Sequence, residues 1–181
     1  MPFISPARLV LNADQVPWSE QYGDVYHAAA GAADQSRHVF LQGNGLPQRW
    51  QSSGNFVIVE TGFGLGLNFL QTCDMFLQAS SPTGRLHFLS VEKHPFSASA
   101  LAQAHERAGL ANDTSKSLCA QWPPLVSGIH RLSFAAGRIT LTLGFGDVET
   151  VLRDFDAKAD AIFLDGFSPS RNPEMWSAEV F

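Results

Sequence analysis

The feature that most constrains the fold is residues 56–66, an apolar run that ends in Glu60 and continues into glycines at every second position. Apolar residues then recur at helical spacing, at Leu67, Phe69, Leu70, Cys73, Phe76 and Leu77. A buried strand, a glycine turn and an amphipathic helix in this order predict the nucleotide-binding corner of a doubly wound α/β fold.

This corner does not match a dinucleotide-binding site. The third glycine of the dinucleotide-binding motif Gly-x-Gly-x-x-Gly would fall where this chain has Leu67. Glu60 at the turn would also repel a pyrophosphate. S-adenosylmethionine (SAM) carries sulfonium and ammonium charges and no phosphate, so we expect SAM as the cofactor. A nicotinamide cofactor is the distant alternative.

The glycine turn itself is expected to contact the cofactor. Gly62, Gly64 and Gly66 let the backbone approach the methionine moiety closely, whereas a plain strand-to-helix turn would need only one glycine. Asn68, in the first helical turn, is expected either to touch the amino-acid part of the cofactor or to lie on the helix surface.

The rest of the chain predicts two regions. Residues 1–55 form a small β-rich extension, since short apolar pieces at 9–11, 24–26 and 38–41 alternate with turn residues. Residues 56–181 form a Rossmann-like core with a mostly parallel sheet. Its expected strands are 56–60, 86–92, 139–143 and 160–164, its expected helices are 65–79, 96–109 and 148–156, and 111–137 is expected to be irregular.

Only four core strands are expected, and the chain stops at Val180-Phe181 inside what looks like the start of a helix. Doubly wound sheets normally continue beyond the point where their strand order reverses. We therefore predict that the C-terminal strands of the core are missing, either because the chain is a fragment or because the edge is supplied otherwise.

Composition limits the compartment and the partners. The chain has 181 residues, 45% of them hydrophobic, which suits one domain with a sizeable core. No membrane segment or secretion signal is recognisable, and neither Cys73 nor Cys119 has metal-ligand spacing, so a reducing cytoplasm is expected. The net charge of -5 argues against indiscriminate nucleic-acid binding but leaves room for a structured RNA on a local basic patch.

Four carboxylates follow apolar runs and are therefore expected at one rim of the sheet: Glu60, Glu92, Asp147 and Asp165. Glu92 is placed to accept hydrogen bonds from both ribose hydroxyls, unless it is a solvated acid paired with Lys93. Asp147 is placed to accept from the adenine amine, and it can also cap the helix that follows it.

Residues 160–169 give the second strong signal, an acid, a glycine, an aromatic ring and a proline directly after a strand. In an amine methyltransferase, Asp165 would orient the nitrogen lone pair and take up its proton, mainly by positioning. Phe167 would stack on a planar base. The alternative is a simple Asp-Gly turn with Phe167 in the core.

Signatures of other chemistries are absent from the sequence. It has no phosphate-binding Gly-Lys-Ser/Thr loop, no Gly-x-Ser-x-Gly elbow and no His-Glu-x-x-His motif. The six histidines show no metal-ligand spacing, so no metal site is predicted.

Several stretches together resemble the methyltransferase domain of bacterial MnmC-type tRNA-modifying enzymes. They are residues 24–26 (DVY), 39–47 (VFLQGNGLP), 60–70 (ETGFGLGLNFL), 88–93 (FLSVEK) and 163–176 (FLDGFSPSRNPEMW). The resemblance runs from about residue 17 to the end, and the last stretch is its most specific part. The chain departs from the family by ending soon after Trp176, before the remaining strands, and by having His27 after Tyr26.

The resemblance implies a class I SAM-dependent methyltransferase that methylates the aminomethyl group of a wobble uridine in tRNA. Asp165 would be catalytic, Phe167 and Tyr26 would contact the substrate, and Glu60, Glu92, Lys93, Asp147, Asn68 and the three glycines would serve the cofactor. In many members a flavin-dependent oxidase domain prepares the amine, so FAD is expected only if such a domain is fused or separate. Another amine substrate, or a non-catalytic SAM-binding remnant, remain the alternatives.

Overall fold

The computed structural model describes residues 4–27, 32–51 and 54–180. Phe181, which the sequence places in the start of a helix, lies outside the described residues. The chain begins with a small antiparallel sheet in the order β1-β2-β3. Its strands are β1 (Val10–Leu11), β2 (Pro17–Ser19) and β3 (Asp24–Val25). The first part of the extension therefore contains the β-structure that the sequence predicts.

The second half of the extension is helical, contrary to the prediction of a β-rich segment. It contains α1 (Ala32–Ser36), a π-helical segment (Arg37–Gln42) and α2 (Gln48–Gln51). A strand would place Val39 and Leu41 on the same face. Here the helical backbone buries Leu41 completely and leaves Val39 50% exposed.

The main sheet has five strands in the order β6-β7-β5-β4-β8. They are β4 (Asn55–Glu60), β5 (Arg85–Glu92), β6 (Gly128–Phe134), β7 (Ile139–Phe145) and β8 (Ala161–Phe163). Neighbouring pairs among β4, β5, β7 and β8 are parallel, while β6 runs antiparallel to β7. The helices between them are α3 (Leu67–Ala79), α4 (Ala98–Arg107), α5 (Asp113–Ala120) and α6 (Val148–Arg153), and a 3₁₀ turn covers Pro173–Trp176.

The four expected parallel strands and three expected helices are all present, and the α/β fold class is confirmed. The interpretation of 111–137 as irregular is wrong, because this region contains α5 and β6. Helix α5 has no apolar stripe and starts instead at Asn112, whose side chain accepts a hydrogen bond from Ser115 N. Strand β6 did carry a signal, since Leu132 and Phe134 alternate with exposed residues.

The core lies between the sheet and α3. Phe69, Leu70 and Cys73 of this helix are completely buried, as are Phe88 of β5 and Phe163 of β8. Each such side chain contributes roughly 1.5–3 kcal/mol by leaving water. The packing fixes the start of α3 against the strand ends. Among the described residues, no helix combines the length and apolar character needed to cross a bilayer.

The strand order places the candidate site. From β4 the chain moves outward through β5 to β7, and then returns to form β8 on the other side of β4. In a doubly wound sheet, ligands bind outside the carboxyl ends of the strands at such a reversal. The ends of β4, β5 and β8 meet there.

Candidate active site

A cleft of about 320 Å³ opens at this edge of the sheet. Its walls come from the turn after β4, the ends of β5 and β7, the loop after β8 and the N-terminal sheet. Nine of the expected site residues line it: Tyr26, Gly62, Gly64, Asn68, Glu92, Lys93, Asp147, Asp165 and Phe167. Glu60 and Gly66 are not part of its lining.

Glu92 is held by two backbone donors. Gly64 N donates to its Oε2 at 2.7 Å, and His94 N donates to its Oε1 at 2.7 Å. A carboxylate offers about four acceptor positions, so both oxygens keep capacity for further hydrogen bonds. Burial raises the pKa of Glu92, and the two backbone donors oppose that rise.

Lys93 and Asp147, which also line the cleft, form an ion pair. Lys93 Nζ lies 3.1 Å from Asp147 Oδ2 and 3.3 Å from Glu174 Oε2. The hydrogen bond to Asp147 is the main reason why the pKa of Lys93 is raised. Asp147 also caps α6, because its Oδ1 accepts a hydrogen bond from Glu149 N at 3.2 Å. Lys93 thus pairs with Asp147 and Glu174, while backbone amides hold Glu92.

Three side chains connect the ends of β4 and β8 below the cleft. Asn68 Nδ2 donates to Glu60 Oε1 at 3.0 Å and to Asp165 Oδ2 at 2.6 Å. Glu60 is 1% exposed, and burial raises its pKa to about 8, with the Asp165 charge adding to the effect. Burial likewise raises the pKa of Asp165 to about 6, against the hydrogen bonds from Asn68 and Gly166 N.

The glycine turn brings the loop after β8 close to the end of β4. A Cβ on Gly62 would lie 2.8 Å from the Asp165 carbonyl oxygen, which also accepts a 2.8 Å hydrogen bond from Thr61 Oγ1. Gly64 adopts a φ of 52°, a left-handed conformation that favours glycine. A Cβ on Gly66 would collide with the Phe63 ring, so Gly66 serves the packing of the turn.

An aromatic cluster lines the cleft beside the loop after β8. The Phe167 ring stacks on Tyr22 with 4.6 Å between centroids and meets the edge of Tyr26 at 5.1 Å. Tyr26 in turn packs on Phe96, with ring centroids 5.0 Å apart. Phe167 is therefore a wall of the cleft, rather than a core residue. Tyr22 is a member that the sequence interpretation missed, because its only signal was an aromatic ring beside a turn glycine.

The turn between β2 and β3 is attached to the loop after β8. Ser168 N donates to Asp24 Oδ2 at 3.0 Å, and Trp176 Nε1 donates to the Phe167 carbonyl at 2.9 Å. The Arg171 side chain also lies beside Gly23. The N-terminal sheet therefore helps to shape the part of the cleft that surrounds Asp165 and Phe167.

His105 supports the glycine turn from below and was also missed. It is completely buried, and its Nε2 donates to the Leu65 carbonyl at 2.8 Å. Its Nδ1 then accepts from Ser115 Oγ at 2.8 Å. Burial lowers the pKa of His105, in keeping with a neutral ring. The sequence pattern of α4 predicts only that His105 lies on the packed face of the helix. It cannot predict the two hydrogen bonds, because Leu65 and Ser115 belong to other segments of the chain.

The cleft is lined by acidic side chains and by backbone amides of the glycine turn. Within residues 4–27, 32–51 and 54–180, no group of three or more His, Cys, Asp or Glu is arranged to hold a metal ion. Carboxylates with spare acceptor capacity suit hydroxyl and amine groups, and an exposed glycine backbone suits a ligand that approaches closely.

Comparison with known proteins gives three kinds of match. A family described as S-adenosyl-L-methionine-dependent methyltransferase matches residues 110–181. The tRNA 5-methylaminomethyl-2-thiouridine biosynthesis bifunctional protein MnmC of Cupriavidus necator is 51% identical over 178 residues, covering 98% of this chain and 27% of that protein. The protein of the same name from Cupriavidus metallidurans is 53% identical over 180 residues, with the same coverage.

Among solved structures, MNMC2 from Aquifex aeolicus matches with a TM-score of 0.70 and 24% identity. The match covers 98% of this chain and 56% of that one, and supports the fold. The resemblance to the MnmC-type proteins is confirmed over nearly the whole chain. The chain spans about a quarter of the length of these curated relatives, 27% in both cases.

Proposed function

We propose that this chain is a methyltransferase domain that transfers the methyl group of SAM to the aminomethyl group of a tRNA wobble uridine. The observation that carries the proposal is the convergence of Glu92 and Asp165 on one cleft, separated by the glycine turn. The name shared by its relatives supplies the substrate, 5-methylaminomethyl-2-thiouridine being the product of the biosynthesis that they perform.

The cofactor would lie across the glycine turn with its ribose at Glu92. The Gly64 and His94 amides hold the Glu92 carboxylate in place, and its remaining acceptor positions suit a pair of ribose hydroxyls. Asp147 lies on the side of the cleft where the adenine would follow. Gly62 and Gly64 leave space for the methionine part. Bound there, SAM supplies an electrophilic methyl group on its sulfonium.

The acceptor amine would approach from the side of Asp165 and Phe167. In that orientation the nitrogen lone pair would attack the methyl carbon, and the electrons of the carbon–sulfur bond would stay on the sulfur. The nitrogen then loses a proton, which the ionised Asp165 carboxylate accepts. Phe167, Tyr22 and Tyr26 provide the ring surfaces on which a pyrimidine can stack.

The test is methylation of tRNA that carries 5-aminomethyl-2-thiouridine by the purified protein with SAM, followed by mass spectrometry of the nucleosides. We expect conversion to the methylaminomethyl nucleoside, and about a hundredfold slower conversion by the D165N variant. Methylation of small amines but not of this tRNA would favour the alternative that the substrate is another amine. SAM binding without any methylation would favour a non-catalytic SAM-binding domain.

The same proposal includes the partners. The relatives are named bifunctional, so a second, FAD-dependent oxidase activity, fused or separate, would prepare the amine. A cytoplasmic location follows from the tRNA substrate and remains a prediction.

A further inference from the structure

Asp165 is the end of a hydrogen-bonded chain that runs beneath the cleft. Ser90 Oγ donates to Glu60 Oε2 at 2.6 Å, and Asn68 Nδ2 donates to the other oxygen of Glu60 and to Asp165 Oδ2. Ser90 is 0% exposed, Glu60 1% and Asn68 7%. The chain therefore links β5, β4, the first turn of α3 and the end of β8, largely out of contact with solvent.

Both hydrogens of the Asn68 amide nitrogen are used in this chain. Its NH₂ group has two hydrogens, and each is directed at a different carboxyl group. The second oxygen of Asp165, Oδ1, accepts a hydrogen bond from Gly166 N at 2.9 Å. Both Asp165 oxygens are thus held by donors, so its carboxyl plane cannot rotate freely. A neutral donor also joins two acids without adding charge.

We propose that Asn68 is a positioning residue for Asp165, held in turn by Glu60 and Ser90, and that it aims the Asp165 carboxylate at the acceptor amine. This inference rests on the proposed function and changes the expected role of Asn68. A contact with the carboxylate of the cofactor's amino-acid part would need donors that Asn68 has already given to Glu60 and Asp165, so its amide oxygen is what is left for the cofactor, as an acceptor from the ammonium group.

The electrostatic setting makes the proposal measurable. Burial raises the pKa of Asp165, and the Asn68 hydrogen bond opposes that rise by favouring the ionised form. The titratable and charged groups that share this region are Glu60 below the cleft and the following residues that line it: Arg8, Glu20, Tyr22, Tyr26, His27, Glu92, Lys93, His94, Asp147 and Glu174. All of these groups remain in an Asn68 variant, so a difference in the pKa of Asp165 between the variant and the native protein reports the lost hydrogen-bond donor.

The first experiment compares the pH dependence of kcat for the native protein and N68A on aminomethyl-uridine tRNA. Loss of the donor should move the acid limb, where Asp165 becomes protonated, upward by about one pH unit, with SAM affinity changed less than about twofold. T72V is the matched control, because Thr72 is buried one turn further along α3 with no hydrogen-bond partner for its hydroxyl. Its acid limb should match that of the native protein.

An unmoved acid limb combined with weaker SAM binding would overturn the inference and assign Asn68 to the cofactor. If N68A does not fold, N68S replaces it, since a hydroxyl can donate to only one of the two carboxyl groups.

A second readout separates this inference from the proposed function. In the protein labelled with ¹³C at aspartate carboxyl carbons, the Asp165 resonance is titrated without any substrate. Its midpoint should rise in the Asn68 variant whether or not the protein methylates tRNA, and an unchanged midpoint would contradict the positioning role. Absence of methylation by the native protein would contradict only the proposed function.

Discussion

At the scale of single residues, burial decides which of the acids in and beneath the cleft carry charge. Glu60 and Asp165 share the Asn68 amide, yet the pKa rises to about 8 for the buried Glu60 and only to about 6 for Asp165. At neutral pH the first is mainly protonated and the second mainly ionised. One acid therefore serves as a neutral support and the other as a proton acceptor.

This difference predicts the behaviour of E60Q. An unfolded chain ionises Glu60 near its ordinary pKa of 4.5 while the folded protein holds the proton to about 8, so ionisation lowers stability as the pH rises between these values. A glutamine cannot ionise, and it keeps an acceptor for Asn68. At about pH 9, E60Q should be more stable than the native protein by about 5 kcal/mol, with the advantage lost near pH 4.

Urea denaturation at both pH values measures this effect. E106Q is the control, because Glu106 is exposed on α4, and it should show no such pH-dependent gain. If the difference in unfolding free energy between E60Q and the native protein is the same at both pH values, Glu60 is not held protonated in the folded protein.

Gly62 is a position of the turn at which a side chain would meet backbone. The Cβ of G62A would press on the Asp165 carbonyl oxygen at 2.8 Å and on Met175 Cε at 3.3 Å. The carbonyl is backbone and cannot rotate away, so we expect a loss of about 1–3 kcal/mol in stability and weaker SAM binding. Denaturation and calorimetry of G62A measure both, and G54A, where a Cβ would meet nothing within 4 Å, should behave like the native protein.

At the scale of elements, the N-terminal sheet and the loop after β8 form the substrate side together. The sequence predicts each of them, since alternating apolar pieces precede residue 26 and a strand precedes Asp165. Their contact could not be predicted, because the Asp24–Ser168 hydrogen bond and the Tyr22–Phe167 stack join positions more than a hundred residues apart. Periodicity reports local structure and contains no information on such partners.

The Asp24 contact predicts a local effect on that loop. Its hydrogen bonds from Ser168 and Val25 outweigh burial and lower the pKa of Asp24, so the contact is present above the ordinary pKa of this acid and weakens as the pH falls below it. In D24A, amide hydrogen exchange at Ser168 should accelerate about fivefold at neutral pH. D14A, at an exposed position of the same segment, is the control, and equal exchange at Ser168 in all three proteins would show that Asp24 does not restrain the loop.

At the scale of the whole molecule, the strand order places the four predicted acids at one end of the sheet. Alternation of strand and helix patterns predicts the parallel core and the rim. It misses α5, because a short polar helix is stabilised by tertiary contacts more than by its own pattern, and it misses the edge strand β6 although Leu132 and Phe134 alternate there with exposed residues. It also places Glu60 in the cleft, although hydrogen bonds to Ser90 and Asn68 hold this acid beneath it.

The affinity for SAM tests whether Glu92, at the end of β5, belongs to the cofactor site. E92A removes a charged acceptor for the ribose and should weaken SAM binding by about 10- to 100-fold in calorimetry, whereas E106A on α4 should leave it unchanged. Equal affinity of E92A and the native protein would remove Glu92 from the cofactor site.

The most direct test of the central claim is a crystal structure of the protein with S-adenosylhomocysteine, in which the distances from Glu92 to the ribose oxygens are measured. We expect both ribose hydroxyls within about 2.6–3.2 Å of the Glu92 carboxylate, with the sulfur facing Asp165 across the glycine turn. A ligand bound elsewhere, or one whose sulfur points away from Asp165, would contradict the account.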